Sequence, residues 1–119
     1  MKHELGQTSL VYAAGGGAGV RGGYTAGTGG SGIGGAGAVG TGNGNNASPA
    51  NRGSGGGGGG GDGNNTSYVG GTGSDGVIVI AYPNTVVPPT ISGGLTYDQP
   101  TRAGYRVYRF TAGSGTITF

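Results

Sequence analysis

The chain has no cysteine and no tryptophan, a single methionine and a single histidine. Without cysteine there is no disulfide framework, and thiolate nucleophiles and thiolate metal centres are excluded. Charge is scarce too: six Lys/Arg against four Asp/Glu, 8% of residues in all. Disordered chains usually depend on charge to stay solvated, so this scarcity argues against a simple disordered coil. The net charge of +2 comes without any Lys/Arg cluster in the first hundred residues, so nucleic acid is not an expected partner. No apolar run approaches the roughly 20 residues that a membrane-spanning helix requires, and membrane insertion is not expected. At the N-terminus, Lys2 is followed by Glu4, Gln7, Thr8 and Ser9, which interrupt any secretory apolar core.

What the chain has instead is glycine. Of its 35 glycines, 29 lie between Gly15 and Gly76. Side chains cannot build the interior of such a segment. Glycine also gives up the most backbone freedom on ordering, so a folded version needs dense main-chain hydrogen bonding in return. Three-residue spacing recurs in patches: Gly16, Gly19, Gly22; Gly29, Gly32, Gly35; Gly34, Gly37, Gly40; and Gly70, Gly73, Gly76. The register slips between patches and no proline fills the intervening places, which excludes a collagen triple helix. A polyproline-II-type conformation has three residues per turn, so one glycine per turn opens one face to a neighbour. The expected structure is a bundle of polyglycine-II helices, with residues 12–76 ordered and the contact glycines, Gly73 and Gly76 among them, intolerant of a side chain.

Three stretches of changed composition interrupt the glycine: 21–26, with Arg21, Tyr24 and Thr25, and the Asn-, Asp-, Ser- and Pro-bearing 43–52 and 62–68. Their tolerance of left-handed backbone and their side-chain bonds to the main chain mark them as reversals. Residues 8–14 read as a short strand entering the glycine region. After Gly76 the pattern changes to Val77-Ile78-Val79-Ile80-Ala81-Tyr82, a β-branched strand stopped by Pro83. Further strands are expected within 90–97 and at 105–111, the latter joined through Ala112–Gly115 to 116–119 as a hairpin. No segment has helical periodicity. The expected fold is all-β and irregular, with a glycine-rich domain over residues 1–83 and a C-terminal β-hairpin module over 84–119.

Two segments carry a family resemblance. The run Gly70-Gly71-Thr72-Gly73-Ser74-Asp75-Gly76 feeding Val77–Pro83 resembles the end of the glycine-rich domain in tail-fibre and adhesin proteins of tailed bacteriophages, and the closing Gly104–Phe119 resembles the C-terminal signature of the same proteins. The resemblance implies a receptor-binding tip: a rigid polyglycine-II slab whose loops touch an outer-membrane protein or glycan on the bacterial surface. It implies a protein made in the host bacterial cytoplasm and carried on the virion tail fibre, with the rest of that fibre as a partner. The glycine region here is about half of a typical one and begins mid-pattern, from which self-association or a longer parent chain is expected. Self-assembly into a filament or matrix through inter-chain backbone bonds is the alternative function, and a flexible linker bearing a small β module is a third reading.

Candidate binding residues are then the loop residues Tyr24, Asn45, Asn46, Asn51, Arg52, Asn64, Asn65 and Tyr68. Tyrosine offers rigid contact area and asparagine adaptable hydrogen bonds, the mixture antibody paratopes use. Alternating reversals place Tyr24 and Tyr68 at one end of the bundle and the 43–52 loop at the other. Arg102, Arg106 and Arg109 among Tyr105, Tyr108 and Phe110 could form a cationic aromatic surface for phosphate or sugar. A hairpin that packs its aromatics and leaves its arginines solvated accounts for them equally simply, and is preferred.

Other motifs carry less. Residues 70–78 match one calcium-binding nonapeptide, but such sites draw six to eight oxygens from stacked repeats and no second repeat follows the pattern. Gly32–Gly37 satisfies G-x-G-x-x-G only through composition, with neither strand before nor helix after. Asn46-Ala47-Ser48 and Asn65-Thr66-Ser67 fit the glycosylation sequon, which a protein made in bacterial cytoplasm would not use. His3 stands alone, and Glu4, Asp62, Asp75 and Asp98 are scattered. No metal, cofactor or catalytic constellation is expected, and the chain reads as a non-enzyme.

Overall fold

The computed structural model describes residues 2–5, 8–64 and 66–119. Its regular elements are strands in small antiparallel sheets, with no α-helix among the described residues and one short 3-10 turn at Gly30–Gly32. The strands are β1 (Lys2–Leu5), β2 (Thr8–Val11), β3 (Ile78–Pro83), β4 (Thr90–Ile91), β5 (Leu95–Asp98), β6 (Tyr105–Gly113) and β7 (Ile117–Thr118). Two compact units divide the chain, one of residues 11–76, the other of residues 2–10 with 77–119. The strand after the glycine region, expected to close the first domain at Pro83, therefore groups with the C-terminal unit. The reason is its pairing: β3 lies antiparallel to β6 from Ile78↔Phe110 to Pro83↔Tyr105.

In the glycine-rich unit the described backbone runs out and back as extended segments, approximately 14–21, 25–30, 34–39, 42–48, 53–61 and 68–76. Their hydrogen bonds advance in steps of three residues. Gly17 and Val20 donate to the carbonyls of Gly35 and Ala38; Gly35 and Ala38 donate to Gly55 and Gly58; Gly55 and Gly58 donate back to Ala14 and Gly17. These bonds, each 2.9–3.0 Å, tie the first, third and fifth runs into a parallel triangle in which every run donates to the next. The parallel bridges Val20↔Val39 and Arg21↔Gly61 share this direction. Other runs return antiparallel: Gly27 and Gly30 donate to Ala18 and Gly15, and Gly57 and Gly60 to Asn45 and Gly42. Buried backbone groups need such partners, and here the main chain supplies them without a β-sheet.

Glycine is required where runs meet, because carbonyl oxygens fill the places where side chains would project. A Cβ on Gly16 or Gly19 would overlap the carbonyl oxygen of Gly56 or Gly59; on Gly34 or Gly37, that of Gly15 or Ala18; on Gly57, that of Ala36. Gly17, Gly35 and Gly57, one from each run of the triangle, are buried. The three-residue spacing thus marks contact faces at 16/19 and 34/37. It misleads at Gly76, where a Cβ would meet nothing within 4 Å, and only partly holds at Gly73, where it would lie 3.0 Å from the Ser54 oxygen.

Reversals occur at the three expected places and at two more. Ser31 (φ 50°) with Gly32 (φ 70°) turns the chain between the second and third runs, and Gly40 (φ 57°) between the third and fourth. The expected 43–52 loop is shorter, since 43–48 is itself a run and only 48–52 turns.

In the C-terminal unit β6 is the central strand of the order β3-β6-β5. Being flanked on both edges, it supplies the buried core residues Val107, Tyr108 and Phe110. Tyr82, Tyr97, Tyr108, Phe110 and Phe119 make a chain of ring contacts, with centroids 5.3–6.4 Å apart. Such pairs each add about 0.5–1.5 kcal/mol beyond burial. The expected hairpin between 105–111 and 116–119 does not form. β6 continues to Gly113 and pairs with β5, with a register shift at Thr96/Tyr97, while β7 pairs with β4. Tyr97 packed on Tyr108 and Phe110 outweighs the local turn signal of Ala112–Gly115.

Candidate functional site

The glycine-rich unit gathers side chains at the ends of its runs. One end collects the reversal after the first run, Gly40 and the reversal at 62–67. These are held together by Gly40 N–H donating to the Val20 carbonyl (3.0 Å) and by the bridges Arg21↔Gly61 and Gly61↔Ser67. Tyr24 stands 70% exposed here, the large aromatic of that unit most open to solvent. Its turn is closed by Tyr24 N–H donating to Arg21 carbonyl at 3.3 Å. The Arg21 guanidinium lies against Gly63, with Nε 3.0 Å from where a Cβ would sit. Asp62 Oδ1 accepts from the Asn64 N–H at 2.7 Å, and that bond holds the Asp62 carboxyl below its ordinary value. Tyr68 begins the sixth run at this end, half-buried. Arg21, Tyr24, Asp62, Asn64 and Tyr68 therefore belong to one surface; Asn65 lies outside the described residues. Arg21 and Asp62 were not singled out from sequence, because single charges in a glycine tract carry no pattern.

The remaining candidates do not join that surface. Asn45 sits inside the fourth run, its N–H donating to Ala36 and its carbonyl accepting from Gly57, both at 2.9 Å. Asn46 uses its amide oxygen to accept the Thr72 N–H at 2.8 Å, and Asn43 does the same for Val69 at 3.0 Å. The next residues donate back, Gly44 to Val69 and Ala47 to Thr72. These asparagines, three apart, complete the backbone bonding of the sixth run. Asn51 and Arg52 lie at the opposite end. Asn51 adopts φ 57°, and Arg52 stacks 5.1 Å above the Tyr12 ring while Nη1 donates to the Val11 carbonyl at 3.3 Å. Arg52 is a staple for the chain entering the unit.

No family model, curated protein or solved structure matches this chain.

The C-terminal unit holds a second surface. Where β3 and β5 end and β6 begins, the turn after Pro83, the segment Gln99–Thr101 and the Arg102–Tyr105 turn enclose a groove of about 350 Å³. The arginines considered together from sequence separate here. Arg109 pairs with Asp98 on the neighbouring strand, Nε donating to Oδ1 at 2.8 Å and Nη2 to Oδ2. Arg102 lies 4.1 Å over the Tyr105 ring and Arg106 Nη2 reaches the Asn84 carbonyl at 3.4 Å, and both residues line the groove. Among the described residues no three His, Cys, Asp or Glu side chains stand together as metal ligands, and no helix is long and apolar enough to cross a membrane.

Proposed function

We propose that this chain is a non-enzymatic receptor-binding domain of a bacteriophage tail fibre or adhesin, whose glycine runs act as polyglycine-II helices. In this reading the rigid runs carry the loops, and recognition of an outer-membrane protein or glycan on a bacterial surface falls to the end bearing Arg21, Tyr24, Asp62, Asn64 and Tyr68. The observation behind it is the division of labour in the glycine-rich unit. Its runs meet chiefly through backbone and have few side chains with which to discriminate partners, whereas that end presents an exposed tyrosine beside charged and amide groups. The three-residue step of the hydrogen bonds is what polyglycine-II geometry requires.

Labelled full chain should bind cells of some strains in a bacterial panel and not others. Tyr24→Ala combined with Asn64→Ala should weaken that binding about tenfold or more, as truncation of anchor residues does. Amide protection across Gly55–Gly58 should stay unchanged in the same variant. Binding equal to wild type in the double variant would sink the loop assignment, and open-ended polymers by light scattering would favour a filament.

A further inference from the structure

The C-terminal groove presents positive charge that no carboxylate among the described side chains neutralises. Residues 77–119 contain three arginines and a single acidic residue, Asp98. That carboxylate is engaged two-fold by Arg109. Arg102 and Arg106 are left as groove-lining cations with no carboxylate partner among the described residues. Arg106 is poorly satisfied even by the protein: its Nε is shielded from solvent without a hydrogen-bond partner, and its Nη2 contact with Asn84 is long at 3.4 Å. Arg102 is pre-positioned, because its guanidinium rests on the Tyr105 ring and its backbone closes the turn to Tyr105 through a 3.1 Å bond. A stacked guanidinium has lost much of its rotamer freedom already and keeps its in-plane N–H groups for a planar or tetrahedral oxyanion.

The rest of the lining is chemically specific. Asn84, Gln99 and Thr101 offer neutral amide and hydroxyl groups, while Pro100 and Val107 give apolar wall. The volume sits near the lower end of the roughly 300–1,000 Å³ of small-ligand sites. Two cations call for one anionic group; neutral donors and acceptors beside them suit a hydroxylated body. From this the geometry points to a site for a sugar bearing an oxyanion, carboxylate or phosphate, held chiefly by Arg102 with Arg106 contributing charge. The site is independent of the loop surface of the glycine-rich unit, and stands whether or not that surface binds cells.

The test is a titration of the full chain, followed by NMR at the arginine Nε–H and Tyr105 ring signals. The probes are galacturonate, glucose 6-phosphate and, as the neutral control, glucose. Saturable shifts at Arg102 and Tyr105 are expected with one or both acidic probes in the millimolar range, weakening with added salt, and not with glucose. The relative response to galacturonate and glucose 6-phosphate distinguishes carboxylate from phosphate as the favoured group. Arg102→Gln should weaken binding about tenfold, the loss of one charge-assisted contact, and Arg102→Lys should recover part of it. Arg102 is half-buried at a turn, so its replacement is expected to leave the fold intact. Arg106→Gln should weaken binding less, and if it unfolds the unit, the Arg102 pair and the neutral control still decide. Equal shifts with glucose, no saturation with either acid, or undiminished binding in Arg102→Gln would each overturn the proposal.

Discussion

Gly57→Ala tests most directly whether backbone contact holds the glycine-rich unit. Gly57 is buried on the fifth run; its N–H donates to Asn45 at 2.9 Å and its carbonyl accepts from Gly71 at 2.7 Å. A Cβ added there would overlap the Ala36 carbonyl oxygen and crowd the Gly35 oxygen 2.9 Å away. Both obstacles are main chain, so no flexible side chain can swing aside, and separating the runs would lengthen the bonds of the triangle. Overpacking a core by a methylene or so usually costs about 1–3 kcal/mol, and the rigid neighbours place this case at or above about 3. For a unit of this size each kcal/mol lowers the midpoint by about 4–8 °C, which gives a loss of about 12–24 °C. The comparison is Gly76→Ala, where a Cβ would meet nothing within 4 Å. There, loss of unfolded-chain freedom should stabilise slightly or leave the midpoint unchanged. Gly73→Ala, 3.0 Å from the Ser54 oxygen, should fall between the two. Thermal unfolding of the three variants by circular dichroism gives the ranking. If Gly57→Ala melts with wild type, or Gly76→Ala is as damaging, the runs are not packed through backbone and the reasoning fails.

Replacing Asn43 and Asn46 together by Ala should speed amide exchange at Val69 and Thr72 while Gly55–Gly58 keep their protection, because only the sixth run loses its side-chain acceptors; unchanged exchange at Val69 and Thr72 would remove the ladder assignment. Burial pushes the Tyr82 phenol above its ordinary value of 10.0, with the neighbouring Tyr108 phenol adding to it and Arg106 opposing. The unfolded chain therefore releases this proton first, so its contribution to stability is complete below about pH 10 and declines as pH rises through the higher folded value. Denaturant unfolding in the alkaline range should show wild type losing more stability than Tyr82→Phe, and parallel losses would contradict the shift.

The C-terminal unit was the more legible from sequence because its side chains encode it. Val77–Tyr82 and Tyr105–Thr111 declare strands through β-branched and aromatic residues, and their alternation assigns Tyr108 and Phe110 to one face and Val107 to the other. The pairing partner was less legible. Ala112–Gly115 is a good local turn, but the choice between β5 and β7 depends on Tyr97 meeting Phe110 at 5.3 Å, a contact between residues thirteen apart in sequence. In the glycine-rich unit the reversals built from Asn, Asp, Ser and Pro were legible. Those at Gly30–Ile33 and Gly40 were not, since residues typical of the runs also form those turns.

Asn45, Asn46 and Arg52 show why candidate sites are hardest to read in such a chain. A glycine run offers no side chains to satisfy its outer edge, so the few polar residues near it face two demands: bonding the scaffold and meeting a partner. Asn46 is committed to Thr72 and Arg52 to Val11 and Tyr12. Tyr24, 70% exposed, has its backbone in a turn and its ring in solvent. The same criterion separates the arginines of the second unit, where Asp98 claims Arg109 and leaves Arg102 on its tyrosine. Composition places the polar residues near the surface, and only the hydrogen-bond partners determine which remain available to bind. If the chain is a receptor-binding domain as proposed, recognition rests on the side chains that the scaffold does not need.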